Sequence, residues 1–362
     1  MKTNEELIPI IKELAAGGMN HIKAILTAIG DNDGWYNGLR ILPHFDDTAM
    51  FWIIGARRIG KTDLVLRVMC LLYIVFSEKT MWVRNKMVEL KDPSFHSAFL
   101  NDAKLHQWCP PDWETRPDGV HMGPDKDSDT VCSFQSISTF SNRRGGAHPG
   151  TLMMVFDEFC PEDRKYPPMC ATGLMSLTKT VFSGNEDARC FCLSNFVSAA
   201  NPYFVKCRIY PRTDRPITAY PDKSMLIERC TGYRCGILED NMWNKAYKAA
   251  QIGNYASESE DRLIELVKRM PKGAVPQPYI FKIDELLYRG YTKNGITYYS
   301  EYHGKVNDIV IWTPNLKECD DRVVLMPVFM RRNIEAEMQS GTLRFKDPNV
   351  MFAILNMAFE TV

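Results

Sequence analysis

The chain has 362 residues, which at about 100 to 200 residues per domain implies about two domains. Its 45% hydrophobic and 24% charged residues match ordinary globular usage and exclude a largely disordered or collagen-like chain. With 44 Lys+Arg against 44 Asp+Glu the formal net charge is zero, so a histone-like basic nucleic-acid binder is excluded while a local basic channel is not.

The 11 cysteines lack the repeated C-x2-C pairs of zinc or redox sites and read as reduced core residues. Cys190 and Cys192 alternate so that both sulfurs face one side of a strand. The acidic N-terminus lacks an apolar signal core, which predicts an intracellular chain. The apolar run from Val65 to Phe76 carries Arg67 and is shorter than the roughly 20 residues a bilayer span needs, so no membrane partner is expected.

In chain order, residues 4–29 place apolar side chains at spacings of three and four, interrupted at Gly17-Gly18, and predict two short helices. Met50 to Ile54 reads as a buried strand ending at a glycine. Residues 62–76 read as a buried helix and Thr80 to Arg84 as the next strand. Strand, Gly-rich loop, helix, strand is the opening of an α/β domain with a mostly parallel sheet and helices on both faces. Residues 108–130 look like an excursion, and Val131 to Phe140 resumes as a strand. Leu152 to Phe156, ending in Asp157-Glu158, and Arg189 to Leu193, ending in Ser194-Asn195, carry the uninterrupted apolar pattern of central strands. These elements predict an N-terminal domain over 1–209, a linker or lid over 210–270 with polar helices at 241–270, and a smaller α/β domain over 271–362. In the last, strands are expected at Tyr279–Ile283, 295–302 and 306–312, with a helix near 347–359.

Gly55-Ala56-Arg57-Arg58-Ile59-Gly60-Lys61-Thr62 fits G-x-x-x-x-G-K-[ST], and it follows a strand and opens a helix as that motif requires. Glycines let backbone N–H groups wrap a polyphosphate, and the helix N-terminus favours its charge. Lys61 bridges the β- and γ-phosphates, and the Thr62 hydroxyl ligates Mg2+. Arg57 lies inside the loop and reaches the nucleotide from the same chain. Asp157, closing a buried strand, is expected to hold Mg2+, and Glu158 to act as general base. The long interval between Lys61 and Asp157 leaves room for an inserted strand, which points to the additional-strand, catalytic-glutamate class of P-loop NTPase. A guanine-specifying Asn-Lys-x-Asp is absent, so ATP is the expected nucleotide. Ser194 and Asn195 are placed to sense the γ-phosphate. Transition-state charge calls for an arginine, often from a neighbouring subunit, and Arg144 and Arg189 are the candidates.

Residues 53–62, Val155-Phe-Asp-Glu-Phe159, Thr180-Val-Phe182 and the block from Arg189 through Leu193-Ser-Asn195 to Asn201-Pro-Tyr-Phe204 resemble the genome-packaging ATPases of small phi-29-type tailed phages. The resemblance is strong over about 50–205, with Gly341 to Phe345 matching again near the end. It implies a terminase-like motor that assembles as a pentameric ring on the portal vertex of a procapsid, linked to it by a structured prohead RNA. Such a motor drives double-stranded DNA inward with ATP, in the host cytoplasm and transiently on the procapsid. It also implies a C-terminal domain with an RNase H-like, nuclease-related fold that binds nucleic acid without its catalytic acids. The family carries a trans-acting arginine directly after Thr-Val-Phe; here Ser183-Gly184 follow, which directs that role to Arg144 or Arg189. The 49 residues before Met50 look longer than the family norm.

Asp284, Glu301, Asp320 and Asp321 are the carboxylates available to a nuclease, but they form no recognisable set. From 265 onward basic and acidic residues nearly balance, so a nucleic-acid face must come from clustering, with Arg331-Arg332 and Arg344-Lys346 as candidates. Two other readings remain open from sequence: a terminase with an active C-terminal nuclease, and a nucleotide-gated assembly factor.

Overall fold

Met50–Gly55 is apolar almost throughout because strands flank it on both sides, and this strand organises the larger of two units. The computed structural model describes residues 2–125, 127–139, 150–161, 165–195, 201–212, 214–234, 266–306 and 309–359. The chain divides into one unit of Met1–Val197 with Pro211–Arg262 and a second of Ser198–Tyr210 with Leu263–Val362.

The first unit opens with helices α1 (Asn4–Ala16) and α2 (His21–Ile29), then β1 (Met50–Gly55), α3 (Lys61–Phe76) and β2 (Lys79–Arg84). Short helices α4 (Met87–Lys91), α5 (Pro93–Phe99) and α6 (Asn101–Leu105) and small strands β3 (Glu114–Arg116) and β4 (Gly119–His121) follow. Next come β5 (Thr130–Ser136), β6 (Thr151–Asp157), α7 (Cys170–Val181) and β7 (Arg189–Ser194). After residues that belong to the second unit, β8 (Ile217–Tyr220) and β9 (Met225–Cys230) complete the sheet.

The sheet order is β3-β4-β5-β2-β6-β7-β1-β9-β8. From β5 to β9 every pair is parallel, and only the outer pairs are antiparallel. One strand, β7, stands between β1 and β6; it follows Asp157 in the chain, whereas the interval from Lys61 to Asp157, where an inserted strand was expected, holds β2 to β5, all on the far side of β6. Cys190 and Cys192 do share a face, with their sulfurs 3.7 Å apart. The N-terminal helices bury Leu7, Ile11, Ile22 and Ile25 in the same core as α3. Arg67 on α3 caps this arrangement: its guanidinium donates to the Lys2 carbonyl and lies 5.6 Å from the Trp108 ring centroid.

Two expectations need correction. Residues 217–230 were expected within a linker, yet they form β8 and β9, and β9 pairs along the whole of β1. Glu228 interrupts the apolar run of β9 and hides it in the sequence; its carboxylate is fully buried and accepts from the Tyr36 hydroxyl at 2.8 Å and the Tyr233 hydroxyl at 3.3 Å. The second correction is that Asn201 to Phe204, expected within the first domain, opens α8 (Pro202–Cys207) in the second unit, with the Asn201 side chain capping it. The block that carries the most specific part of the family resemblance is therefore where the chain passes from one unit to the other. The helices expected at 241–270 fall mostly outside the described residues.

The second unit holds β10 (Val275–Ile283), β11 (Leu286–Lys293), β12 (Ile296–Glu301), β13 (Val310–Thr313), β14 (Val323–Leu325) and β15 (Leu343–Phe345) in the order β14-β13-β10-β11-β12-β15. β10 to β12 form an antiparallel meander; β13 adds parallel to β10, β14 parallel to β13, and β15 parallel to β12. Helices Val328–Gln339 and Pro348–Phe359 pack with it around Phe281, Tyr299, Phe345 and Leu355. β11 was not expected, because its hairpin turn is Asp284-Glu285, both at positive φ, rather than the Asn-Gly that marks such turns. Among the described residues no helix is long and apolar enough to cross a membrane.

Candidate active site

In a parallel sheet the C-terminal ends of the strands share one edge, and ligand sites form in the crevice there. The ends of β1, β7, β6 and β2 carry the Gly-rich loop, Ser194, Asp157-Glu158 and Arg84 on that edge. The sequence-level site residues are thus assembled by sheet order: Ser194 lies opposite Ile54 on one side, and Asp157 opposite Leu193 on the other.

The loop's glycines are required by space and by backbone. A Cβ on Gly55 would come within 2.7 Å of the Cys230 Cβ on β9, and Gly60 adopts φ +91° as the residue just before α3. Arg58 also has positive φ. Lys61 is buried and folds back on the loop, its ammonium donating to the Gly55 carbonyl at 3.0 Å and the Ala56 carbonyl at 2.6 Å. The Ile59 carbonyl accepts from the Tyr36 N–H at 2.8 Å, which ties the loop to the segment before β1. The long N-terminal region is therefore part of the loop's support.

Asp157 is buried at the end of β6. Successive side chains of a strand point to opposite faces. Glu158 breaks that alternation with φ +53°, a conformation that is unfavourable for a side-chain-bearing residue, and the two acids converge on one guanidinium. Arg84 Nη2 donates to Asp157 Oδ2 at 2.8 Å and Nη1 donates to Glu158 Oε2. Asn85 fixes the turn itself, its amide donating to the Glu158 carbonyl at 2.9 Å and the Phe159 carbonyl at 3.1 Å. The Phe159 N–H donates to the Leu193 carbonyl at 3.1 Å, joining the turn to β7. Burial opposes the Arg84 charge, but Asp157, Glu158 and Glu89 outweigh it and hold the guanidinium more firmly protonated than usual.

Arg84 and Asn85 escaped the sequence reading. The sequence shows only that Arg84 closes an apolar strand; that β2 lies beside β6, with Val83 paired to Phe156, is what brings Arg84 and Asn85 to the two acids.

Thr62 and Asp157 line a single cavity of about 170 Å3 together with Arg84, Asp63 and Asp102. Leu66, Trp82, Phe95 and Phe99 form much of the cavity wall, and the Thr62 hydroxyl and Asp157 carboxylate that share it are the hard oxygen donors Mg2+ prefers, so these two residues fit that ion. The glycine-shaped loop and buried Lys61 likewise fit a polyphosphate.

The remaining candidates fare unequally. Asn195 follows Ser194 at the site edge and is half-buried. Arg189, expected to reach a neighbouring subunit's site, is a correction: it starts β7 with its side chain turned into its own chain. Its buried guanidinium donates to the carbonyls of Phe45, Glu186 and Ala188 at 3.3, 2.6 and 3.0 Å and lies 5.1 Å from the Phe45 ring centroid, so it is structural. Arg144 lies outside the described residues. Ser183 and Gly184 follow the end of α7.

In the second unit Arg332 is exposed and Arg331 half-buried on the Val328–Gln339 helix, and Lys346 is exposed after β15. Arg344 is drawn into its own turn, donating to the Gly341 carbonyl at 2.7 Å and the Leu343 carbonyl at 2.6 Å. Asp284 sits in an exposed hairpin turn, and Asp320 accepts from the Arg322 and Val323 N–H groups. Among the described residues, no three Asp, Glu, His or Cys side chains come together to hold a metal ion.

Comparison with known proteins agrees with this architecture. A DNA packaging protein of Bacillus phage phi29 is 24% identical over 346 residues, covering 91% of this chain and 97% of the relative. A DNA packaging protein of Bacillus phage PZA is 30% identical over 194 residues, covering 53% and 55%. Two solved structures share the fold over nearly the whole chain. The bacteriophage Phi-29 viral genome packaging motor assembly superposes with a TM-score of 0.62 at 20% identity, covering 90% of this chain and 99% of that one. The Phi-28 gp11 DNA packaging motor gives 0.64 at 15%, covering 92% and 99%. The family of podovirus DNA encapsidation proteins (Gp16) matches residues 31–235, more than half of the chain, and the protein belongs to that family.

Proposed function

We propose that this protein is an ATP-hydrolysing motor that drives double-stranded viral DNA into a preformed procapsid. The observation that carries the catalytic part is the convergence of Lys61, Thr62, Asp157 and Glu158 on one edge of the parallel sheet. Family membership supports the DNA-packaging part.

Lys61 exchanges its loop carbonyls for the β- and γ-phosphate oxygens of ATP, a charge-assisted contact stronger than the one it leaves. Thr62 and Asp157 would hold Mg2+, which when bound would supply positive charge where the transferred phosphoryl group gathers negative charge. Glu158 accepts the proton of the attacking water on a carboxylate oxygen. Arg84 occupies Oδ2 of Asp157 and Oε2 of Glu158, so opening of that contact frees an oxygen of each acid for the nucleotide and its water. Ser194, between the loop strand and the acid strand, senses the γ-phosphate, and Asn195 carries that signal onward.

Arg144 is the proposed trans-acting arginine, which makes a homo-oligomeric ring, as in a pentamer, the active form on the portal. Prohead RNA and host-cytoplasmic assembly follow from the same reading. The strand order of the second unit, an antiparallel meander extended by parallel strands from β10, supports an RNase H-like sheet that binds nucleic acid through Arg331, Arg332 and Lys346.

Steady-state ATP hydrolysis measured across protein concentration, with and without double-stranded DNA, tests the reading. Turnover should rise with both and vanish in Lys61→Ala. Constant specific activity down to high dilution would contradict completion of the site by a neighbour.

A further inference from the structure

The phosphate loop accounts for the charged part of a nucleotide but leaves its base without a partner. β6 and β7 lie on one side of β1 and β9 on the other. A polyphosphate whose γ end faces Asp157 therefore directs its ribose and base toward the β9 side. That side carries an aromatic and cationic cluster contributed by two distant stretches of chain.

The first stretch precedes β1. Trp35 is half-buried, its Cβ lying 3.6 Å and its indole Cε3 3.8 Å from where a Cβ on Gly60 would stand. The adjacent Tyr36 N–H donates to the Ile59 carbonyl of the phosphate loop at 2.8 Å. The second stretch follows β9. The Arg234 N–H donates to the Gly34 carbonyl at 2.7 Å, and its guanidinium carbon lies 5.3 Å from the Trp35 ring centroid. Arg40 reinforces the junction by donating to the Thr231 carbonyl at 2.9 Å and lying 4.7 Å from the Tyr233 ring centroid. An indole held against the phosphate loop, with one face covered by a cation and part of its surface exposed, is a stacking platform.

We propose that Trp35, backed by Arg234, is the surface on which the base of the bound nucleotide stacks. The inference rests on reading Gly55–Thr62 as the polyphosphate cradle. Stacking needs a π-face and no particular pattern of edge hydrogen bonds, so the purines of ATP and GTP gain alike and a pyrimidine gains less.

The test compares Mg-ADP with Mg-tripolyphosphate, which has no base, by calorimetric titration of the full chain. Trp35→Ala should weaken ADP by about tenfold and leave tripolyphosphate within about twofold of the unmodified chain, while Trp35→Phe retains most ADP affinity. Arg234→Ala, at an exposed residue whose loss spares the fold, should weaken ADP by a few-fold only. Unchanged ADP affinity in Trp35→Ala, or an equal loss of ADP and tripolyphosphate, would overturn the stacking role while leaving the phosphate cradle in place. Failure of the unmodified chain to bind either compound would overturn the nucleotide reading, and the base platform with it.

Discussion

The two units treat polar residues in opposite ways. In the first, parallel strands bring a lysine, a threonine, two acids and an arginine from distant parts of the chain to one sheet edge, with Lys61 and Asp157 buried there. In the second, acids and arginines are spread out: Asp284 in a hairpin turn, Glu337 on a helix bonded to Thr297, Arg289 on the Gln277 carbonyl, Arg344 on its own turn and Arg332 exposed. Parallel order concentrates chemistry because every strand ends on the same side, whereas a meander alternates ends and disperses it. The contrast predicts large effects from substitutions on the first unit's edge and small ones on the second unit's surface.

The largest effect belongs to the proposed base. Glu158→Gln should keep nucleotide binding and lower turnover by roughly 10²- to 10⁴-fold, measured as steady-state phosphate release. Arg84→Ala should come next. It leaves Asp157 buried without its cation and costs about 3–5 kcal/mol of unfolding free energy in denaturant titration, part of which Arg84→Ala with Asp157→Asn recovers.

Glu228 gives a pH signature to the same sheet. Burial raises its carboxyl to about 7, while the Tyr36 hydroxyl, Arg40 and the Tyr233 hydroxyl pull the other way. The folded chain therefore holds this proton more tightly than the unfolded chain. The stability it contributes, about 3 kcal/mol, is complete below pH 4.5 and is lost as pH rises to about 7. Glu228→Gln should flatten that part of the stability profile; an unchanged slope would remove Glu228 as its source. The smallest effect is expected in the second unit. Arg331→Ala with Arg332→Ala should weaken double-stranded DNA binding a few-fold, flatten its salt dependence by about one phosphate contact per residue, and leave DNA-free ATP turnover unchanged. A collapse of stability in that variant would break the contrast between the units.

What the sequence made legible follows the same physics. The glycine loop, β6 with its two acids and β7 as a strand were readable because apolar runs on both faces and a fixed loop spacing are local signals, whereas the place of β7 between β1 and β6 was not. Arg84 and Asn85 were not, since their role depends on β2 lying beside β6, which only the sheet order reveals. β9 was concealed by Glu228, an acid that is tolerated in the sheet because two tyrosines and a distant N-terminal segment surround it. Arg189 was misread because the sequence does not show that its guanidinium is buried on three carbonyls of its own chain, which withholds it from a neighbour's site.

The central claim is that this edge converts ATP hydrolysis into DNA packaging. Its most direct test is the amount of double-stranded DNA that becomes nuclease-resistant when the protein, procapsids and ATP are combined, with Glu158→Gln in parallel. Protection by the unmodified chain, and none by a Glu158→Gln variant that still binds nucleotide and procapsid, is the predicted result. Equal protection by both would contradict the account.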